Sequence, residues 1–248
     1  MALSNSELTR YHRQMIIKNW GEGGQERLRS STVFIAGAGG LGSPVAVYLA
    51  AAGIGKMRIC DFSDPELSNL NRQILHSVAD IGKNKALSAA ETLHGINPHV
   101  TVEPLTEKIT SESVKRLVGE SDIIIDCLDN FETRHVLNNF SVATGSPLVH
   151  GAIHGISGQI TFMKSPQTPC LRCIFPDRVP KDIFPVAGVT PGVIGTLQAL
   201  EAIKWLIGIG ENMLERLLVW DGDAMDFQVI SVHRDPDCPV CSHNTHKR

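Results

Sequence analysis

Three glycines, Gly37, Gly39 and Gly42, stand in the pattern G-x-G-x-x-G, between the β-rich run Thr32–Ala36 and an alanine-rich stretch. In that context a glycine turn lets backbone N–H groups approach phosphate oxygens at a helix N-terminus. Asp61 lies 24 residues beyond Gly37, where the next strand should end, and an acid there suits a ribose hydroxyl. NAD or FAD fits this much, and so does ATP. The following residues favour ATP: Asn69 and Arg72 come soon after Asp61, and Lys83 and Lys85 follow. Two or three cations beside a glycine turn are more than a pyrophosphate bridge needs. They suit a triphosphate whose charge grows during transfer. Asp126 and Asp129 close another apolar run, and a carboxylate at that edge can hold Mg²⁺ against phosphates.

A second constellation is made of sulfur. Cys170-Leu-Arg-Cys173 and Cys238-Pro-Val-Cys241 each have zinc-ligand spacing, which lets two thiolates point at one metal. Four thiolates with no further ligand describe a closed, structural zinc site. It would pin the C-terminal segment onto a proline-rich loop. Disulfides or a redox CxxC are the alternatives, although neither pair opens a helix after a strand as a thioredoxin motif does. Cys60 and Cys127, near site acids at strand ends, read as small buried filler.

The elements that must position these residues alternate. A polar helical segment, 6–29, precedes the strand 32–36, the glycine turn, a helix over 43–52 and a strand over 56–61. Helices are expected over 85–94, 111–117 and 132–144, and strands over 100–104, 122–126 and 148–150. Apolar Ile123-Ile-Ile125 between two acids suits a strand buried on both faces. Residues 155–164 alternate as an antiparallel strand would, and 165–192 reads as a loop with six prolines. A helix over 193–207 follows, with apolar Ile194, Leu197, Leu200, Ala202 and Ile203 that read as core packing and polar Gln198, Glu201 and Lys204 among them. Two strands, 216–220 and 226–233, complete the chain. The fold class is α/β, a Rossmann-like doubly wound, mainly parallel sheet with antiparallel strands in the C-terminal half and a structural zinc site.

Length and composition agree. The chain has 248 residues, 42% hydrophobic and 20% charged, with a net charge of −3. A chain of this size buries roughly 70% or more of its unfolded surface and needs no disulfides. The charge offers no basic footprint for nucleic acid. The polar start has no leader character, and no apolar run approaches the roughly 20 residues of a membrane span. The expectation is a cytoplasmic enzyme.

Taken in order, the motifs resemble the ThiF/MoeB/HesA family, relatives of ubiquitin-activating enzymes that adenylate sulfur carrier proteins. The resemblance rests on Arg10-Tyr-His-Arg-Gln14, the glycine turn, Leu67-Ser-Asn-Leu-Asn-Arg-Gln73, Lys85, Asp126-Cys-Leu-Asp-Asn130, Gly195-Thr-Leu-Gln-Ala-Leu-Glu-Ala-Ile-Lys204 and both cysteine pairs. It implies one adenylation domain over 1–248. Within it, 1–30 is a helical arm, 31–150 a nucleotide-binding half, and 151–248 a half for carrier binding, crossover loop and zinc. The implied reaction joins the C-terminal glycine carboxylate of a small ubiquitin-like sulfur carrier, ending in Gly-Gly, to the α-phosphate of MgATP. Pyrophosphate leaves, and the acyl-adenylate is ready to become a thiocarboxylate.

Residue by residue, the resemblance has Gly37, Gly39, Gly40 and Gly42 face the nucleotide, Gly40 through its backbone. Asp61 holds the ribose, and Ser68, Asn69, Leu70, Asn71 and Arg72 line the site. Asn69, Arg72 and Lys85 contact phosphates, and Asp129 coordinates Mg²⁺ with Asn130 beside it. Arg13 matches an arginine that reaches across a homodimer to the partner's phosphates.

In one respect the chain departs from the family. Several members carry a cysteine in the loop after the first CxxC, for a covalent link or sulfur handling. Lys181 to Gly192 holds none, Phe184 standing near that position. The loop is also shorter than in typical ThiF-like members. The expectation is adenylation with no covalent cysteine intermediate in this loop, as in the MoeB-like mode. Because the chain stops after the second cysteine pair, sulfur is expected from a separate donor of cysteine desulfurase or rhodanese type. Other readings are an NAD-binding oxidoreductase or module on the same turn, or a related adenylating enzyme acting on tRNA or peptide. Arg72, Lys85 and the lack of a His–acid pair weigh against the first, and the charge against tRNA.

Overall fold

The computed structural model describes residues 2–176 and 185–242. Among them, eight strands form one mixed sheet: β1 (Thr32–Ala36), β2 (Lys56–Cys60), β3 (Thr101–Leu105), β4 (Ile123–Asp126), β5 (Leu148–His154), β6 (Ser157–Met163), β7 (Arg216–Asp221) and β8 (Asp226–Ser231). Their order is β3-β2-β1-β4-β5-β6-β7-β8. Pairings from β3 to β5 are parallel and those from β5 to β8 antiparallel. Both halves of the expected sheet are present. The strand predicted over 148–150 runs on to His154, because Gly155 and Ile156 turn it straight back into β6 with His154 opposite Ser157. Two-residue turns match the twist of paired antiparallel strands.

Among the described residues, eight α-helices flank the sheet: α1 (Asn5–Met15), α2 (Gly21–Ser30), α3 (Gly42–Ala52), α4 (Lys85–Ile96), α5 (Val114–Val118), α6 (Phe131–Thr144), α7 (Leu171–Ile174) and α8 (Val189–Ile207). The helical segment expected over 6–29 is present as two helices, parted where Asn19 adopts φ 69°, a conformation no helix continues through. α1 starts with a reciprocal cap in which Ser4 accepts from Glu7 N–H and the Glu7 carboxylate accepts from Ser4 N–H. The large core cluster joins Val33, Ile35, Met57, Ile59, Ile123 and Ile125 of the sheet to Val45 and Leu49 of α3 and to Ile194, Ala199 and Ala202 of α8. Phe34, Ile124, Leu117 and Leu137 form a second cluster around α5 and α6. β4 thus has its side chains in both clusters and is buried on both faces.

α8 corrects two expectations. It begins a turn early, at Val189, with Pro191 in its first turn, where the missing N–H has no partner to lose. Its polar residues also do not face water. Gln198 and Glu201 are buried, whereas Leu200 is 48% exposed. Gln198 Nε2 donates to the Asp126 carbonyl oxygen at 2.8 Å. Glu201 accepts from Asn212 Nδ2 and Met213 N–H, both 2.9 Å, and pairs with Lys204. Buried polar groups persist when their hydrogen bonds are supplied.

Candidate functional site

The order β2-β1-β4 puts a switch point at the carboxyl edge of β1 and β4: β2 and β3 build outward on one side, β4 and β5 on the other. Ligands of open α/β sheets bind in the crevice at such a point. The glycine turn after β1 and the segment after β4 meet there. Gly37 has φ +97°, and a Cβ on it would lie 2.9 Å from the Cys127 carbonyl oxygen; one on Gly42 would lie 2.0 Å from the Gly37 oxygen. Only glycine allows this turn at that approach. α3 starts at Gly42, directly after the turn; its Ser43 N–H donates back to Gly39 O at 2.9 Å, and Pro44 has none to offer.

Asp61, just past β2, braces the turn. Its Oδ2 accepts from Ala38 N–H at 2.9 Å, and its Oδ1 accepts from Ser63 N–H at 2.9 Å and Ser63 Oγ at 2.6 Å. α4 is fastened to the same segment. Asn84 caps it by accepting from Ala86 N–H at 2.9 Å and donates to the Asp61 carbonyl oxygen at 3.0 Å, while Lys85 N–H donates to Ser63 O at 2.9 Å. Lys85, 8% exposed, therefore opens α4 next to the segment that Asp61 and Ser63 hold.

The segment 68–72 lies across the opening. The Asn69 side chain accepts from Glu66 N–H at 3.2 Å, and Arg72 folds back to donate to Ser68 O and Asn71 Oδ1, each at 2.9 Å. Arg72 Cγ sits 3.5 Å from where a Gly40 Cβ would be, with Pro191 of α8 at 3.3 Å. The segments that carry the glycine turn, Asp61, Arg72 and Lys85 thus adjoin one another.

The acids after β4 divide. Asp126 is buried (1% exposed) and consumed: its Oδ2 lies 2.7 Å from His150 Nδ1 and 3.4 Å from Arg134 Nε, and its Oδ1 accepts from Leu128 N–H at 3.1 Å. It is not available to a cation. Burial alone would raise this carboxyl, but the Arg134 charge and the His150 hydrogen bond hold it below its ordinary value. Arg134 also donates to the carbonyl oxygens of Leu128 and Gly151, which sets the 126–130 loop from beneath. Asp129 is exposed at the rim. Asn130 caps α6 by accepting from Thr133 N–H at 2.9 Å and donates to Asp129 Oδ1 at 3.3 Å.

Two expected participants stand elsewhere. Lys83 pairs with Glu91 along α4 rather than facing the turn. Arg13 is exposed in the last turn of α1. That helix is fastened at the far ends of α3 and α4: Gln14 Nε2 donates to Ala52 O at 2.7 Å, and Asn97 Nδ2 donates to Tyr11 Oη at 2.8 Å. Gln14, the next residue, is thus fastened to the end of α3 opposite the glycine turn. The structure does not bring Arg13 into its own chain's site.

The four cysteines converge. Their sulfurs all lie within 4.8 Å of one another, with Cys170–Cys173 at 3.9 Å, Cys170–Cys238 at 3.7 Å and Cys173–Cys241 at 3.4 Å. None is in a disulfide. A tetrahedral metal at about 2.3 Å from each sulfur would separate them by about 3.8 Å, so the donor set fits zinc. Cys60 and Cys127 are core residues. Burial pushes the Cys60 thiol up to about 12 and the Cys127 thiol well above its ordinary value, which leaves neither as a nucleophile. Of the loop 181–192, residues 181–184, Phe184 included, lie outside the described residues.

Sequence reasoning missed the polar groups that hold the site from behind: Ser63, Asn84, His76, Ser88, Arg134, His150 and Gln198. Their one signal is polarity inside otherwise apolar or helical runs. Periodicity assigns such residues to the solvent face.

The match to known proteins follows these motifs. A model of the ThiF family matches residues 11–240. The sulfur carrier protein adenylyltransferase of Thermus thermophilus is 41% identical, covering 100% of this chain and 96% of the relative. The SAMP-activating enzyme E1 of Haloferax volcanii is 43% identical, over 97% and 91%. A crystal structure of E. coli MccB, at 22% identity, superposes with a TM-score of 0.87 over 99% of this chain and 75% of that one, and so shares the fold. On the family match and these identities, the chain belongs to the ThiF family.

Proposed function

We propose that the chain is an ATP-dependent adenylyltransferase that activates the C-terminal glycine carboxylate of a small ubiquitin-like sulfur carrier. The observation that carries this is that the glycine turn and the start of α4, where Lys85 stands, are both fastened to the Asp61–Ser63 segment at the switch point, in a chain whose relatives include a sulfur carrier protein adenylyltransferase. A carboxylate is already a nucleophile, so no general base is needed, and positioning and charge stabilisation supply the rate. The backbone of Gly37 to Gly42 and the N-terminus of α3 cradle phosphate oxygens. Asp61 takes the ribose, and Asn69, Arg72 and Lys85 stabilise charge as the α-phosphorus is attacked and pyrophosphate departs. Asp129, with Asn130 beside it, would hold Mg²⁺, a cation that neutralises phosphate charge and is usually bound by one or two carboxylates plus phosphates. Cys170, Cys173, Cys238 and Cys241 would hold structural zinc.

Residues 1–248 act as one adenylation domain, with the arm 1–30, the nucleotide half 31–150 and the carrier, crossover-loop and zinc half 151–248. Arg13 serves the site of a second copy in a homodimer. Its distance from its own site supports this, as do the exposed Ile16 and Ile17 beside it. No cysteine lies between Cys173 and Cys238, so transfer proceeds from the adenylate without a covalent thioester in that loop. Sulfur then comes from a separate donor. A cytoplasmic reaction is part of this reading; no helix among the described residues is long and apolar enough to cross a membrane.

ATP–pyrophosphate exchange tests the reading. Exchange should require a carrier ending in Gly-Gly, vanish when the last glycine is deleted, and fall at least about 100-fold in Lys85→Ala and Asp129→Ala. Exchange indifferent to the tail or to both substitutions would refute it.

A further inference from the structure

The side chain of His76 is not part of the motif that faces the nucleotide, yet it is buried at 7% exposure among three segments that are. Its Nε2 lies 2.8 Å from the carbonyl oxygen of Ala38, inside the glycine turn, and its Nδ1 lies 2.8 Å from Oγ of Ser88. A carbonyl can only accept, so Nε2 carries a hydrogen, and Ser88 Oγ, which also faces the Asp80 carboxylate, meets Nδ1. Ser88 is one turn along α4 from Lys85 and fully buried. The His76 N–H donates to Gln73 O at 3.0 Å, closing the segment that carries Arg72. Ala38 is therefore gripped at both ends of its residue, its N–H by Asp61 and its carbonyl by His76.

We propose that His76 is a positioning residue for nucleotide binding: its imidazole ties the glycine turn to the helix that presents Lys85, setting the distance between phosphate cradle and phosphate cation. The inference rests on the reading of this site as the ATP site. It does not depend on what the ATP activates. An imidazole of fixed shape between a backbone carbonyl and a helix hydroxyl holds both without water, and its loss frees each to shift. Displacements of about an ångström are costly where several groups must meet one ligand.

The test uses the full chain and the non-hydrolysable analogue AMP-CPP with Mg²⁺, so nucleotide affinity is read with no carrier present. His76→Leu removes both hydrogen bonds and should weaken AMP-CPP binding about tenfold, the worth of one to two hydrogen bonds. His76→Gln, whose amide can still donate to the Ala38 carbonyl, should recover most of that loss. Ser88→Ala, which cuts only the link to α4, should fall between wild type and His76→Leu. In carrier-dependent exchange, KM for ATP should rise in these variants while KM for the carrier stays at the wild-type value. Unchanged AMP-CPP affinity in folded His76→Leu overturns the proposal, as does a proportional rise in both KM values. Should His76→Leu fail to fold, wild-type affinity in both His76→Gln and Ser88→Ala overturns it equally. Wild-type protein that binds no AMP-CPP sinks the reading of the site itself and the inference with it. Wild type that binds AMP-CPP but activates no Gly-Gly carrier sinks only the proposed function.

Discussion

At the scale of single residues, the site depends on buried polar groups kept in one protonation state. Burial, the larger influence, holds His76 and His150 below the ordinary histidine value of 6.5, against the pull of the Ala38 carbonyl on the first and of Asp126 on the second. Both are neutral in the folded chain near neutral pH. On unfolding below about pH 6.5 they take up protons that the folded state refuses, so stability falls as pH drops through that value. Above it they add no slope. Each contributes up to about 1.4 kcal/mol per pH unit. Asp126, held below 3.8, keeps its own contribution until pH falls below about 4. The urea midpoint should therefore decline from pH 7.5 to pH 5.5, and decline less steeply in His150→Gln. A wild-type midpoint flat across that range, or a slope identical in the variant, would contradict the assignment of neutral buried imidazoles.

At the scale of elements, the glycine turn, the strands around it and α3 were legible because their signals are local: spacing, β-branched runs and a glycine-bearing junction. The acid at the end of β2 and the lysine opening α4 were placed by the same logic. Three features were not legible. The break between α1 and α2 turns on one residue, Asn19, whose left-handed backbone no periodicity announces. The early start of α8 was hidden by Gly188 and Pro191, which read as loop until the one is seen as its N-cap and the other in its first turn. The buried polar stripe of α8 inverts its apparent amphipathicity because Gln198 and Glu201 find backbone partners across the fold. Asp126 and Asp129 were equivalent in the sequence, and only burial separates the ion-paired acid from the exposed one. The spacing of the cysteine pairs was legible, and their convergence belongs to this scale: it joins α7 to the segment after β8. Metal analysis should find about one zinc per chain. Chelation, or Cys238→Ser, should lower the melting temperature and open the region around α7 and residues 232–242 to proteolysis without unfolding the sheet. Less than half a zinc per chain in fresh protein, or no effect of its removal on that region, would count against a structural site.

At the scale of the whole molecule, the distance from Arg13 to its own glycine turn makes a prediction about assembly. If Arg13 serves a partner's site, Arg13→Ala and Lys85→Ala should each be nearly inactive alone. Equilibrated in equal amounts, they should regain about a quarter of wild-type activity, since half the dimers then hold one intact site. A mixture no better than either variant would place Arg13 outside the reaction. The central claim is that a carrier carboxylate attacks the α-phosphorus of ATP, and isotope transfer reads this directly. The C-terminal carboxylate of a Gly-Gly carrier is labelled with ¹⁸O, and the adenylate is released with hydroxylamine. The nucleotide product should be AMP bearing one ¹⁸O, with unlabelled pyrophosphate. ADP as the product, or label found in inorganic phosphate, would mean attack at the γ-phosphorus and would contradict the account.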